Sequence, residues 1–207
     1  MKRMLVVAGL ATLLAAPAAA QFIGMPVWNS PKGGTGITIS GDYGLPDDAD
    51  GGGSAFGGRA SIGFSKLTLY AGLASWTPDG SDDDVSSFGG GATFRIIGGS
   101  LVPVAVNLLA GAASASSDTE DATSIVAGAG LSASLPIPGF SLEPYVNLTS
   151  RWQTIDGETD TGFGATFGAN LTMGLFGVHL AYDTYSFDDV SRAVFGLGVH
   201  LSLKSPI

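Results

Sequence analysis

From about residue 34 onward, apolar positions alternate with Gly, Ser, Thr and Ala. This is the two-residue period of strands that have two unlike faces. Ile37 and Ile39 flank Thr38, and Phe56, Gly58, Ala60, Ile62 and Phe64 interleave with Gly57, Arg59, Ser61 and Gly63. Leu67, Leu69, Ala71 and Leu73 then oppose Thr68, Tyr70 and Gly72. The same alternation runs through Phe88 to Ile96, Val102 to Ala112, Ile125 to Leu135, Phe140 to Trp152, Phe163 to Met173, Phe176 to Tyr182 and Phe195 to Leu203. It predicts about ten strands, with eight as the alternative count, most of them near the length that a tilted strand needs to cross hydrocarbon.

The connections alternate as well. Gly44 to Gly53, Thr77 to Ser86, Ser114 to Thr123, Thr154 to Thr161 and Ser186 to Ser191 are long and acidic. Ser65-Lys66, Gly98 to Ser100, Pro136 to Gly139 and Gly174-Leu175 are short. An antiparallel up-and-down meander therefore gathers every long loop at one end, the layout of a transmembrane β-barrel with short periplasmic turns and longer external loops.

Charge follows the same phase. Arg59, Arg95, Glu143, Arg151, Asp183 and Lys204, with Asp42 at the edge of the first strand, all fall opposite the apolar face. A charge facing lipid at mid-depth costs about 2–4 kcal/mol, which accounts for the exclusion. Aromatic residues of the apolar face cluster near the strand ends. Tyr43, Phe56, Phe88, Trp152, Phe163 and Tyr182 lie toward the loops, and Phe64, Phe94, Phe140 and Phe176 toward the turns. Such girdles suit two bilayer interfaces, whereas a soluble sandwich would concentrate its large residues at mid-core.

Composition adds exclusions. The 207 residues include 32 Gly and no Cys, with 9 basic against 18 acidic groups. So much Gly disfavours a helical bundle, the absence of Cys removes disulfides and thiolate chemistry, and the negative balance disfavours nucleic acid as a partner. Lys2, Arg3, the apolar run Leu5 to Ala16 and Ala18-Ala19-Ala20 predict a signal peptide over residues 1–20, cleaved near Ala20. Residues 21–33 then form a periplasmic N-terminal segment that closes the mouth or frays, and 34–207 form the barrel.

The alternating mature chain resembles the small bacterial outer-membrane β-barrels of the OmpA, OmpX and opacity-protein type. The resemblance is one of pattern, not of an exact motif. It implies residence in the outer membrane, contact with its lipids and lipopolysaccharide, and insertion by the outer-membrane assembly machinery. Family members typically end on an aromatic residue, whereas this chain ends Lys204-Ser205-Pro206-Ile207.

The inward face is small on alternate strands: Gly57, Ser61 and Gly63; Gly89, Gly91 and Thr93; Gly128, Gly130 and Ser132; Gly164, Thr166 and Gly168; Gly196, Gly198 and Ser202. Either larger residues from the facing strands and water occupy the lumen, or a narrow polar passage remains. Arg59, Arg95, Glu143, Arg151, His179, Asp183 and His200 form a lumenal charge network, read as internal ion pairs or as a constriction for small polar solutes. Within it, Arg95 with Glu143 is the expected gate pair, Arg95 and His200 share the turn end, and Asp42 gathers with Arg151 and Asp183. Loops hold 15 of the 18 acidic groups. These keep the loops solvated and offer divalent cations a weak bridge to lipid phosphates, but they lack the spacing of a calcium loop. No catalytic site, metal site or cofactor is expected, since Asp183 and His179 stand about 13 Å apart along one strand. The function expected is structural, or passive small-solute passage through the lumen. The alternative is surface interaction or adhesion through the acidic loops.

Overall fold

The computed structural model describes residues 22–81, 83–99, 102–117, 121–187 and 190–204. The proposed signal peptide, the last three residues and several loop acids lie outside them, as does the side chain of Lys204.

The strands are β1 (Gly36–Pro46), β2 (Ser54–Phe64), β3 (Leu67–Thr77), β4 (Val85–Gly99), β5 (Val102–Ser116), β6 (Asp121–Ala133), β7 (Leu135–Ile137), β8 (Phe140–Ile155), β9 (Glu158–Met173), β10 (Phe176–Phe187) and β11 (Val190–Lys204). Sequence neighbours pair antiparallel except β6 with β7, and two further pairings, β1 with β11 and β6 with β8, close the sheet into a barrel. Short β7 continues β6 beyond Ser134 and pairs with the start of β8, so the wall has ten strands. Among the described residues the sheet closes on itself, as a backbone surrounded by lipid requires.

Burial is inverted relative to a soluble protein. On the outside, Leu73, Phe88, Leu148 and Phe163 are 64–69% exposed, while inside Asp183 and Asn147 are 0% and Arg151 is 1% exposed. The aromatic girdles face outward as the alternation requires, with Tyr43 and Phe56 packed ring to ring at 4.7 Å.

Three connections expected as long loops are in fact paired over part of their length, among them Ser114 to Thr123, where β5 and β6 stay in register out to Ser116 and Asp121. β8 and β9 stay in register out to Ile155 and Glu158, leaving only Asp156 and Gly157 to turn, both at positive φ. Thr154 and Thr159 hydroxyls meet at 2.8 Å across this extension. Similarly β10 and β11 pair as far as Phe187 and Val190. Strand pairing does not stop where the apolar face stops, because polar residues beyond the bilayer can still form ladder hydrogen bonds.

Candidate functional site

The lumen contains the chain's own N-terminal segment. Residues 22–35 do not lie outside the wall as expected for a periplasmic extension. They run through it, from the loop end at Phe22 to the turn end at Lys32. Phe22 and Met25 pack with Ala55, Ala74 and Trp76, and Val27 packs with Leu109 and Val126. A turn closed by the Gly33 N–H on the Ser30 carbonyl (2.8 Å) then leads into β1. Gly33 takes a φ of 58°, a conformation that costs glycine little.

Wall groups hold the segment by its main chain. The Val27 N–H donates to Asp183 Oδ2 at 3.2 Å, and the Lys32 N–H donates to Glu143 Oε1 at 2.9 Å. Arg95 Nη1 donates to the Lys32 carbonyl, and Asn170 to the Asn29 carbonyl at 3.0 Å. At mid-segment the Asn29 amide donates to Asn107 Oδ1 at 3.1 Å and Asn147 Oδ1 at 2.7 Å, and accepts from Asn107 Nδ2 at 2.9 Å. Ser30 Oγ and Ser132 Oγ complete the shell of Glu143 at 2.7 and 2.8 Å. The side-chain amides of Asn29, Asn107 and Asn147 and the Glu143 carboxylate, removed from water, are thereby partnered, which is what burial demands of them.

The lumenal glycines make room for this segment. A Cβ on Gly196 would stand 2.6 Å from Pro26 Cγ, and one on Gly57 would stand 3.2 Å from Met25 Cε. A Cβ on Gly44 or Gly130 would strike the Gly24 carbonyl or the Asn29 amide. Thus residues 22–35 fill part of so bare a wall, and large wall side chains cover other glycines, with Arg151 over Gly164 and Tyr145 over Gly168.

All seven predicted network residues border this interior, but their partners differ from expectation. Arg95 and Glu143 do not pair with each other: both converge on Lys32, one at its carbonyl and one at its N–H. Arg151 pairs with Asp183 at 2.6 Å, with Thr166 adding 2.9 Å to the same oxygen. Asp42 belongs elsewhere. It binds Arg59 through both oxygens, at 2.6 and 3.1 Å, and meets His179 Nε2 at 2.6 Å. His200 lies against His179, Nδ1 to Nδ1 at 3.2 Å, and not with Arg95. Alternation fixes the face of a residue, whereas depth depends on the register between tilted neighbours.

A cavity remains toward each end. The turn-end one, of about 340 Å³, is lined by Arg59, Tyr70, Thr172, His179 and His200 among others, and the loop-end one, of about 160 Å³, by Phe22, Trp76, Arg151 and Tyr185 among others. The β1–β2 loop folds over the loop end: the Asp47 N–H donates to the Ala193 carbonyl at 2.8 Å, and Trp76 Nε1 to the Gly52 carbonyl at 2.9 Å. Its short helix (Asp48–Asp50) brings Asp50 to within 2.7 Å of the Tyr185 hydroxyl and 3.8 Å of Arg192. Burial pushes the Asp50 carboxyl up to about 6, more than these donors lower it.

The plug residues Phe22, Met25, Val27, Asn29, Ser30 and Lys32 were not identified from sequence. The available signal was the pairing of a glycine-bare lumen with a short apolar segment just ahead of the first strand.

No family model matches the chain, and no curated protein sequence does. Among solved structures it is similar to the β domain of the Bordetella autotransporter BrkA, with a TM-score of 0.59 and 12% identity over 82% of this chain and 100% of that one. An outer-membrane channel from Pseudomonas putida F1 matches with a TM-score of 0.46 and 14% identity, over 86% and 100% of the two chains. The N-terminal β-barrel of Pseudomonas aeruginosa OprF gives 0.41 and 14%, over 83% and 99%. The likeness is one of fold. The chain is a closed antiparallel β-barrel of the outer-membrane kind, here with a strap of its own sequence through the middle.

Proposed function

We propose that this protein is a bacterial outer-membrane barrel kept shut by its own N-terminal segment, with a structural role in the membrane. Small polar solutes pass only when that segment leaves the lumen. The observation that carries this reading is the anchoring of the segment's main chain by three charged groups of the wall: Asp183 on the Val27 N–H, Glu143 on the Lys32 N–H, and Arg95 on the Lys32 carbonyl. Main-chain anchors hold a segment in one register whatever its side chains do. Lipids and lipopolysaccharide cover the apolar outer face, and export through a signal peptide removed near Ala20 delivers the chain to the assembly machinery. No catalysis is assigned, since Asp183, Glu143 and Asp42 each spend their oxygens on wall or plug donors.

Planar-bilayer recordings test the reading. A chain beginning at Gln21 should be electrically silent, and one beginning at Gly34 should show discrete steps once a heat-modifiability gel has confirmed its folding. Equal conductance from both chains would refute the proposal.

A further inference from the structure

The protein has two histidines, and each ends the same tripeptide: Gly177-Val178-His179 in β10 and Gly198-Val199-His200 in β11. The strands are antiparallel and in register, so His179 faces Gly198 and His200 faces Gly177. The two tripeptides are thereby related by a local two-fold axis. Each ring covers the glycine opposite, where a Cβ would collide with its Nε2. The rings lie 25° from parallel with centroids 5.4 Å apart, and the two Nδ1 atoms meet at 3.2 Å.

The surroundings set which ring nitrogen of His179 faces Asp42. Asp42 takes two hydrogen bonds from Arg59, so it is ionised, and its Oδ1 lies 2.6 Å from His179 Nε2. That nitrogen therefore carries the proton. Arg59 Nη2 lies 3.4 Å from the same nitrogen. Nδ1 of His179 is left with its lone pair directed at His200. Beyond His200 lie Thr172 Oγ1, 3.4 Å from Nε2, and the turn-end cavity of about 340 Å³.

We propose that His179 and His200 form an open two-histidine site for a borderline divalent cation of the Zn²⁺, Cu²⁺ or Ni²⁺ class. Two nitrogens on one tetrahedral zinc ion, with bonds of about 2.05 Å, stand about 3.3 Å apart, close to the separation found here. Asp42 supplies the carboxylate that commonly braces a ligating histidine through its other nitrogen. When the ion binds, His200 moves its proton from Nδ1 to Nε2, where Thr172 or cavity water accepts it, so both rings ligate while neutral. Among the described residues no third His, Cys, Asp or Glu completes a ligand set. The remaining positions fall to water, which makes the site exchangeable. Imidazole donors exclude Ca²⁺ and Mg²⁺, which prefer oxygen.

The test is a Cu²⁺ titration of the untagged, detergent-folded chain followed by electron paramagnetic resonance. The expected result is one equivalent bound with hyperfine coupling to two imidazole nitrogens, undisturbed by millimolar Ca²⁺, and roughly tenfold or greater weakening in His200→Ala. A spectrum of oxygen ligands only overturns the proposal, and it needs no variant to fold. Unchanged affinity in folded His200→Ala overturns it equally. Neither readout involves conductance, so the site stands or falls independently of the plug.

Discussion

Asp183 divides its two oxygens between wall and plug: Oδ1 holds Arg151 at 2.6 Å, and Oδ2 accepts the Val27 N–H at 3.2 Å. Both side chains are almost fully buried, and the Arg151 guanidinium also lies 4.4 Å from the Tyr185 ring. Removing one partner of a buried ion pair leaves the other uncompensated, at a cost of about 3–5 kcal/mol. Asp183→Asn is therefore expected to lower the unfolding free energy in detergent by that order, and the urea midpoint with it, and to loosen the segment near Val27. An unchanged midpoint in a urea titration would show that Arg151 has another counter-charge.

Two glycines of β1 make a matched pair for testing the plug. Gly44 faces the lumen, where a Cβ would meet the Gly24 carbonyl, while a Cβ on Gly41 would meet nothing within 4 Å. Gly44→Ala should cost about 1–3 kcal/mol, typical of an overpacked interior, and expose the N-terminal segment to protease. Gly41→Ala should do neither. Equal behaviour of the two variants in limited proteolysis contradicts the lumenal placement.

The outer wall gives a test of its solvent. Leu148 is 67% exposed near the middle of β8. If hydrocarbon surrounds it, Leu148→Arg should destabilise the barrel folded in lipid vesicles by about 2–4 kcal/mol. A substitution on a water-facing surface would usually shift stability by less than about 0.5 kcal/mol, so the size of the effect decides between the two environments.

Docking of the β1–β2 loop should depend on pH. The Asp50 carboxyl holds its proton up to about 6 when docked, against an ordinary value of 3.8. Its contribution to docking is thus complete below about 3.8 and fades as pH rises through about 6. Hydrogen exchange of the Asp47 and Gly52 amides should be slower at pH 4 than at pH 7 after correction for intrinsic rates. Asp50→Asn, which cannot ionise, should flatten that difference. A profile unaffected by the substitution would place the pH dependence elsewhere.

The wall was legible in the sequence because alternation is a strong local signal. Phe163 outward and Arg151 and Asp183 inward follow from counting by twos. Heights were harder to read. Placing Arg95 opposite Glu143 required knowing how each tilted strand slides against the next, and the error left both residues without their true partner, Lys32. Thr154 to Thr161 read as a loop because its composition is polar, although its backbone still pairs. Residues 22–35 have no period to count. Their place was implied only by negative information, the missing side chains at Gly57, Gly130 and Gly196, and such space does not say what fills it.

The direction in which the strap is threaded has a mechanical consequence. Its C-terminal end is stitched to the wall at Gly36, beside the turns, while its leading end emerges among the loops. With the β1–β11 seam zipped, it can withdraw only by backing out toward the turns, drawing Phe22 down the bore. Any bulky adduct or folded cargo joined ahead of Phe22 would act as the stopper on a rotaxane, and the cylinder could then be emptied only by unzipping a seam.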